Sequence, residues 1–233
     1  MSYGTNSTPN LNSHKYYEAF APQYDVVTGE EDREFNNRVA EAVARSQAQG
    51  RLLDVGAGTG ETILALLRYG IPLSAITAID PSRGMLNELS PKLPEERIRI
   101  VQRDVGDFLT DPKELRQRYD LITCVSCLEL IQDAPSILGG LAGILAVNGV
   151  MAITYVEQTD PSISKQIMRA AFDDAYTLHY YPEEIIDNSI AMSGLTTIFK
   201  QRVYAYTRRP PGEAPQDVMY TVQLARRFGA AED

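Results

Sequence analysis

Gly56-Ala57-Gly58-Thr59-Gly60 follows directly on the apolar run Arg51-Leu52-Leu53-Asp54-Val55 and leads into a stretch of helical periodicity. Glycine lets the chain turn tightly and lets a ligand come close to the backbone. The helix start beyond it offers free N–H groups to polar ligand atoms. Asp80 ends a second apolar run, 20 residues after Gly60. A carboxylate there can accept hydrogen bonds from both ribose hydroxyls of an adenosine-containing ligand. A dinucleotide fold also places an acid about 20 residues on, so Asp80 does not separate the two ligand types. The glycines discriminate better. The dinucleotide fingerprint is G-x-G-x-x-G, whereas here they fall at 56, 58 and 60, which tightens the loop and leaves less room for a pyrophosphate.

Candidate bases are few. Glu129 follows the fourth expected strand and His179 lies in the segment after the fifth; Glu157 ends that strand and can also point inward, while His14 is a weaker choice. Cys124 and Cys127 form a Cys-x-x-Cys pair at a strand end, the wrong context for a redox motif, and read as buried packing. Two histidines and two cysteines cannot build a zinc site unaided, so no metal is expected.

The elements that must position these residues alternate. Strands are expected at 51–55, 75–79, 98–101, 121–125 and 150–156. Helices are expected at 62–69, from Ser82 as cap with Met85, Leu86 and Leu89 inward, from Asp111-Pro112, and at 135–146. Continuous apolar strands separated by helices mean a parallel sheet covered on both faces. Two N-terminal helices precede it, from Lys15 and over Asp32–Ala48. After the fifth strand a helix is expected from Asp160-Pro161 through Tyr176 and another after His179-Tyr180-Tyr181-Pro182. Thr196–Thr207 and Val218–Leu224 then read as an antiparallel strand pair.

Leu53-Asp54-Val55-Gly56-Ala57-Gly58-Thr59-Gly60 resembles motif I of the class I S-adenosylmethionine-dependent methyltransferases. Ala78-Ile79-Asp80-Pro81-Ser82 with Met85-Leu86 resembles motif II, Val101-Gln102-Arg103-Asp104-Val105-Gly106-Asp107 motif III, and Tyr119–Glu129 motif IV. Leu145–Ile153 resembles the segment entering strand five, so order and spacing agree over roughly 51–156. The resemblance implies an α/β, Rossmann-like three-layer sandwich with a seven-stranded, mostly parallel sheet and a C-terminal antiparallel strand pair. It implies S-adenosylmethionine as cofactor. Gly56, Ala57, Gly58 and Gly60 would face its methionine part, with Asp54 supporting their loop. Asp80 would take the ribose hydroxyls, with Pro81 and Met85 beside the adenine. Asp104 and the Val105 N–H would meet the adenine edge, and Cys124 and Val125 would lie beside the reacting centre. Tyr16 and Tyr24 fall where the family's N-terminal helix closes over the cofactor.

Residues 1–48 are thus expected to form a helical lid, and 49–233 a methyltransferase core carrying a helical substrate lid at about 158–183. Aromatic and methionine residues of the two lids, among them Tyr17, Phe20, Met168, Tyr176 and Tyr181, suit an apolar or aromatic small-molecule acceptor. The expected reaction is metal-independent, in-line methyl transfer to O or N. The alternatives are an NAD(P)-dependent oxidoreductase and a catalytically silent cofactor-binding partner protein.

Composition limits the partners. The formal charge of −9 argues against nucleic acid and anionic membrane. The apolar stretch Ile137–Ile153 has 17 residues, below the roughly 20 of a membrane span, and with Asn148-Gly149 breaking it reads as a helix, a tight turn and a buried strand. Two cysteines and a polar N-terminus lacking an apolar signal region point to the cytoplasm. A monomer or homodimer is expected.

Overall fold

A computed structural model describes residues 13–156, 165–169, 175–208 and 214–229. The strands are β1 (Gly50–Val55), β2 (Leu73–Asp80), β3 (Ile98–Gln102), β4 (Tyr119–Cys124), β5 (Leu145–Val156), β6 (Lys165–Arg169), β7 (Ala175–His179), β8 (Thr196–Arg208) and β9 (Gln216–Arg226). The helices are α1 (Ser13–Arg45), α2 (Glu61–Arg68), α3 (Arg83–Leu89), the single turn α4 (Val105–Phe108), α5 (Ala134–Ile144) and α6 (Glu183–Met192).

Seven strands form one sheet in the order β3-β2-β1-β4-β5-β9-β8. The first five are parallel, while β9 runs antiparallel to both β5 and β8. This is the expected sheet, its terminal antiparallel pair included. Strand alternation divides the interior into two cores. Leu52 and Leu121 face the one built on α1, α2 and α3, while Leu53 and Ile122 face the one built on α5 and α6. The chain order reverses at β1, which has β2 on one side and β4 on the other. At such a switch point the loops leaving the strand ends diverge and open a crevice.

Local chemistry sets the boundaries. Ser82 Oγ accepts the Met85 N–H at the start of α3, as its sequence position predicts, and Gly70 follows α2 at φ +70°. The two expected N-terminal helices form one span broken at Gly29, whose φ of 43° and ψ of −112° lie outside the helical region. Beyond that break α1 buries Phe35, Val39, Ala40 and Val43 against the sheet.

Three expectations of local structure are corrected. Asp111-Pro112 opens a turn rather than a helix. Asp111 accepts the Lys113 N–H at 2.9 Å, but the following Leu115, Arg116 and Arg118 are exposed, so no apolar face drives further winding. The turn expected at Asn148-Gly149 is a left-handed residue, Asn148 at φ 64°, within β5; its N–H donates to Arg227 O at 2.6 Å. In place of the helix through Tyr176, β6 and β7 pair antiparallel as a separate hairpin. Ile167, Tyr176 and Thr177 are residue types that suit a pleated ladder. Asp160-Pro161, where that helix is expected to open, lies outside the described residues. No helix among the described residues is long and apolar enough to cross a membrane.

Gly60 tests the packing of the first turn. Its φ is +91°, and an added Cβ would overlap Leu89 Cδ1 of α3. Gly60→Ala is expected to cost about 2–3 kcal/mol from backbone strain and overpacking, a Tm lower by roughly 4–12 °C in thermal denaturation.

Candidate active site

The crevice at the switch point opens into a cleft of about 970 Å³ including its open mouth. Its floor is the loop 56–60, where Gly56, Gly58 and Gly60 all have positive φ. Ala57 N–H donates to Ile79 O at 3.0 Å, stitching the loop to β2. The Asp80 carboxylate braces the same loop: Oδ2 accepts the Gly58 N–H at 2.9 Å and Oδ1 the Ser82 N–H at 2.8 Å. Burial pushes the Asp80 carboxyl up, and those two N–H groups hold it down. Each oxygen keeps a lone pair for a ligand hydroxyl.

Pro81, Met85, Asp104, Val105 and Val125 also line the cleft, together with Gly56, Ala57 and Gly58. Asp104 caps α4, its Oδ1 accepting the Gly106 N–H at 2.7 Å. Gly60 is the residue just before α2, packed against Leu89 rather than at the cleft wall.

Several predicted site residues stand elsewhere. Asp54 is fully buried behind the loop, and its Oδ1 accepts the Thr123 hydroxyl at 2.6 Å; that bond goes to β4, not to the glycine loop it was expected to support. Asp54 Oδ2 has no hydrogen-bond partner among the described residues, and burial lifts this carboxyl to about 7. Cys124 is also fully buried rather than beside the cleft, because alternation along β4 puts it on the Ile122 face. Its Sγ lies 2.9 Å from that of Cys127, which does line the cleft. Of the tyrosines, Tyr24 lines the cleft but Tyr16 does not; Tyr17 takes that place, seven residues from Tyr24 on the same helix face. The Tyr16 ring stacks on Phe20 with centroids 5.5 Å apart.

The two candidate bases sit on elements in contact, since β7, which ends at His179, packs against the 3₁₀ turn Leu128–Leu130. Glu129 is buried there, not solvated. The Tyr220 hydroxyl donates to its Oε1 in a short hydrogen bond, its Oε2 has no partner among the described residues, and burial pushes its pKa up. Glu129 does not itself line the cleft, although Cys127, Leu130 and Ile131 around it do. Tyr181, expected in the lid, donates its hydroxyl to Ile131 O at 2.6 Å and so fastens the approach to α6 onto this segment. Glu157 lies outside the described residues.

Sequence reasoning missed the side of the cleft made by α1 and α2. Asp32, Asn36, Glu61 and Thr62 all line it. Asn36 donates to Asp32 Oδ1 at 3.1 Å and accepts the Thr62 hydroxyl at 2.7 Å. Burial, then Glu61 and Asp25, lift the Asp32 carboxyl to about 6. The available signal was an asparagine on the apolar face of α1 beside Phe35 and Val39. The outer half of α1 is pinned over the cleft. Glu18 Oε2 accepts the Ser82 hydroxyl at 2.7 Å and the Gly84 N–H at 2.9 Å, and Asp25 accepts the Thr59 hydroxyl at 2.6 Å.

A family model described as Methyltransferase domain matches residues 28–198, most of the chain. The chain belongs to the methyltransferase-domain family. The expected class I membership and its Rossmann-like fold both hold. Trans-aconitate 2-methyltransferase of Enterobacter sp. (strain 638) is 30% identical over 125 residues, covering 54% of this chain and 46% of that protein. Juvenile hormone acid O-methyltransferase of Drosophila melanogaster is 31% identical over 107 residues, covering 45% of this chain and 36% of that protein. The aligned region thus spans half or less of these relatives. Among solved structures, the 1,6-didemethyltoxoflavin-N1-methyltransferase of Burkholderia thailandensis, with 1,6-didemethyltoxoflavin and S-adenosylhomocysteine bound, superimposes with a TM-score of 0.65. It is 20% identical, covering 98% of this chain and 92% of that one. An S-adenosylmethionine-dependent methyltransferase from Clostridium acetobutylicum gives 0.66 at 17% identity, covering 92% and 100%.

Asp54 gives this methyltransferase-family protein a pH signature. Its folded pKa of about 7 lies above the unfolded value of about 3.9, so the folded state holds the proton longer. Stability attributable to this group therefore falls as pH rises from about 4 to about 7 and is level above that. Asp32 acts in the same direction up to about 6. Asp54→Asn removes the larger effect. In urea denaturation its stability relative to wild type is expected to improve between pH 5 and pH 8, by at most about 2.7 kcal/mol.

Proposed function

We propose that the cleft binds S-adenosylmethionine and that the protein transfers its methyl group to an oxygen or nitrogen atom of a small molecule, without a metal. The observation that carries this reading is the Asp80 carboxylate, set at the end of β2 and shared between the Gly58 and Ser82 N–H groups, with lone pairs left for ribose hydroxyls. The residues present fit the rest of such a cofactor. A Cβ at Gly58 would have nothing nearer than 3.8 Å, so its bare backbone leaves open space for a ligand. Ile79, Pro81, Met85 and Val105 offer an apolar slot, and Asp104 can accept from an amino group at its edge.

Bound there, the cofactor supplies an electrophilic methyl on a sulfonium. The protein's part is to orient, cover and exclude water. Positioning of this kind supplies ~7–11 kcal/mol, against ~3–5.5 kcal/mol from a general base. Tyr17 and Tyr24 on the outer half of α1 serve as the lid. Glu129 and His179 are the candidate proton acceptors.

The electrostatics disfavour a dinucleotide. Asp32, Glu61, Asp80 and Asp104 line the cleft, and its Arg103 is already bonded to Asp111 at 2.8 Å. Phosphates would be repelled there, whereas a sulfonium and an ammonium would be attracted. Incubation with methyl-labelled S-adenosylmethionine and pooled small metabolites is expected to label the small-molecule fraction. Label confined to RNA or protein would sink the reading. Asp80→Ala is expected to raise KM for the cofactor about 30–100-fold, as loss of charged hydrogen bonds implies, with a smaller change in kcat.

A further inference from the structure

The charges around the cleft restrict what can be methylated. Asp32 lines it, half-buried, and accepts the Asn36 amide at 3.1 Å. Glu61 lines it beside Arg68. Of the described cations on the lining, Arg103 is bonded to Asp111, and His14 lies 3.8 Å from Glu18. An acceptor carboxylate would therefore bring its charge among acids, with no cation among the described residues of the lining that lacks a carboxylate neighbour.

Glu129 adds a requirement of the opposite kind. It sits in the turn between Cys127 and Ile131, both at the cleft, close enough to Tyr24 that the two ionisations oppose each other. Tyr220, on β9, donates to Oε1, and its ring lies against Phe35 with centroids 5.2 Å apart, so the hydroxyl is held in place. Oε2 is buried and lacks a partner among the described residues. A buried carboxylate oxygen left in that state is costly, and an incoming O–H or N–H relieves it.

We infer that the acceptor offers a hydroxyl or amine hydrogen to Glu129 Oε2, which lies just behind the lining residues and is reached through one water or on closure of the complex, and that it is not methylated on a carboxylate, with Tyr220 as the positioning residue that fixes Glu129. This rests on the methyl-transfer reading above. In the step, the acceptor's O–H or N–H bond breaks and its proton goes to Glu129 Oε2. The electron pair left on oxygen or nitrogen forms the bond to the methyl carbon, and the pair of the broken C–S bond stays on sulfur. The inference sets this chain apart from two relatives whose names give trans-aconitate and juvenile hormone acid as acceptors.

The test uses the full chain saturated with S-adenosylhomocysteine, so that no turnover intervenes, and three probes of similar size: phenol, benzylamine and benzoate. By saturation-transfer NMR at pH 7.5, phenol and benzylamine are expected to bind at least about tenfold more tightly than benzoate. Glu129→Gln, which keeps an oxygen for Tyr220, is expected to narrow that gap, because one repelling charge is gone. Tighter binding of benzoate than of the other two overturns the inference and leaves the methyl-transfer reading intact. Failure of S-adenosylhomocysteine itself to bind overturns both.

Tyr220→Phe keeps the ring but loses the hydrogen bond that favours the Glu129 anion. With an accepted phenol or amine, the acidic limb of its kcat profile is expected to move up by about 0.5–1 pH unit while the alkaline plateau is kept. The titratable groups around Glu129 are Tyr24, Tyr220 and Cys127, with Tyr17 and Tyr206 beyond and His179 on β7. Burial raises Tyr24 and Tyr220 well above their usual ranges, and the hydrogen bond with Cys124, then burial, does the same to Cys127. His179→Gln isolates the histidine, and the limb is expected to remain in that variant. A uniform fall in kcat at every pH in Tyr220→Phe would reduce Tyr220 to packing and overturn its positioning role.

Discussion

The Asp80 carboxylate accepts an N–H from each of two backbone segments that the chain order drives apart, the glycine loop leaving β1 and the turn leaving β2. Both loops depart from the C-terminal ends of neighbouring parallel strands, where the ladder runs out and the Ala57 N–H to Ile79 O bond is its last tie to the glycine loop. One buried acid therefore holds the shape of the cleft floor and remains the most prominent acceptor within it. Its position at the last residue of β2 follows from register, since Asp80 pairs with Gln102 just as β3 ends. Sheet, loop and site are linked through that residue.

The same acid belongs to a wider electrostatic arrangement. Four carboxylates line the cleft and two more, Asp54 and Glu129, are buried behind it, each with an oxygen lacking a hydrogen-bond partner among the described residues. Packed acids of this kind raise one another's pKa values and weaken the fold. They become tolerable where a cation or a hydrogen-bond donor arrives. A cofactor with two positive centres and an acceptor bearing O–H or N–H groups would supply both. The outer half of α1 closes the arrangement from above through Glu18 and Asp25, beyond the break at Gly29.

Much of this was legible in the sequence. Apolar runs ended by glycine or aspartate gave the parallel strands, and the 56-58-60 glycine spacing with Asp80 gave the floor of the cleft. What escaped depended on direction rather than on identity. Cys124 was placed at the site although alternation turns it into the α5 core, and Tyr16 was named where Tyr17 has the right face of the helix. Asp32 and Asn36 carry no local motif; they reach the cleft only because α1 crosses α2. The β6–β7 hairpin was read as helix because its apolar residues satisfy either period over so short a stretch, and pairing between two separated segments decided the outcome.

Calorimetric titration at pH 7.5 with S-adenosylhomocysteine and, separately, with NADH tests the central claim most directly. The account predicts one-to-one binding of S-adenosylhomocysteine and no binding heat with NADH, since the cleft offers the adenosine its carboxylates but, among the described residues, gives a pyrophosphate no cation without a carboxylate neighbour. Saturable binding of NADH with none of S-adenosylhomocysteine would contradict it.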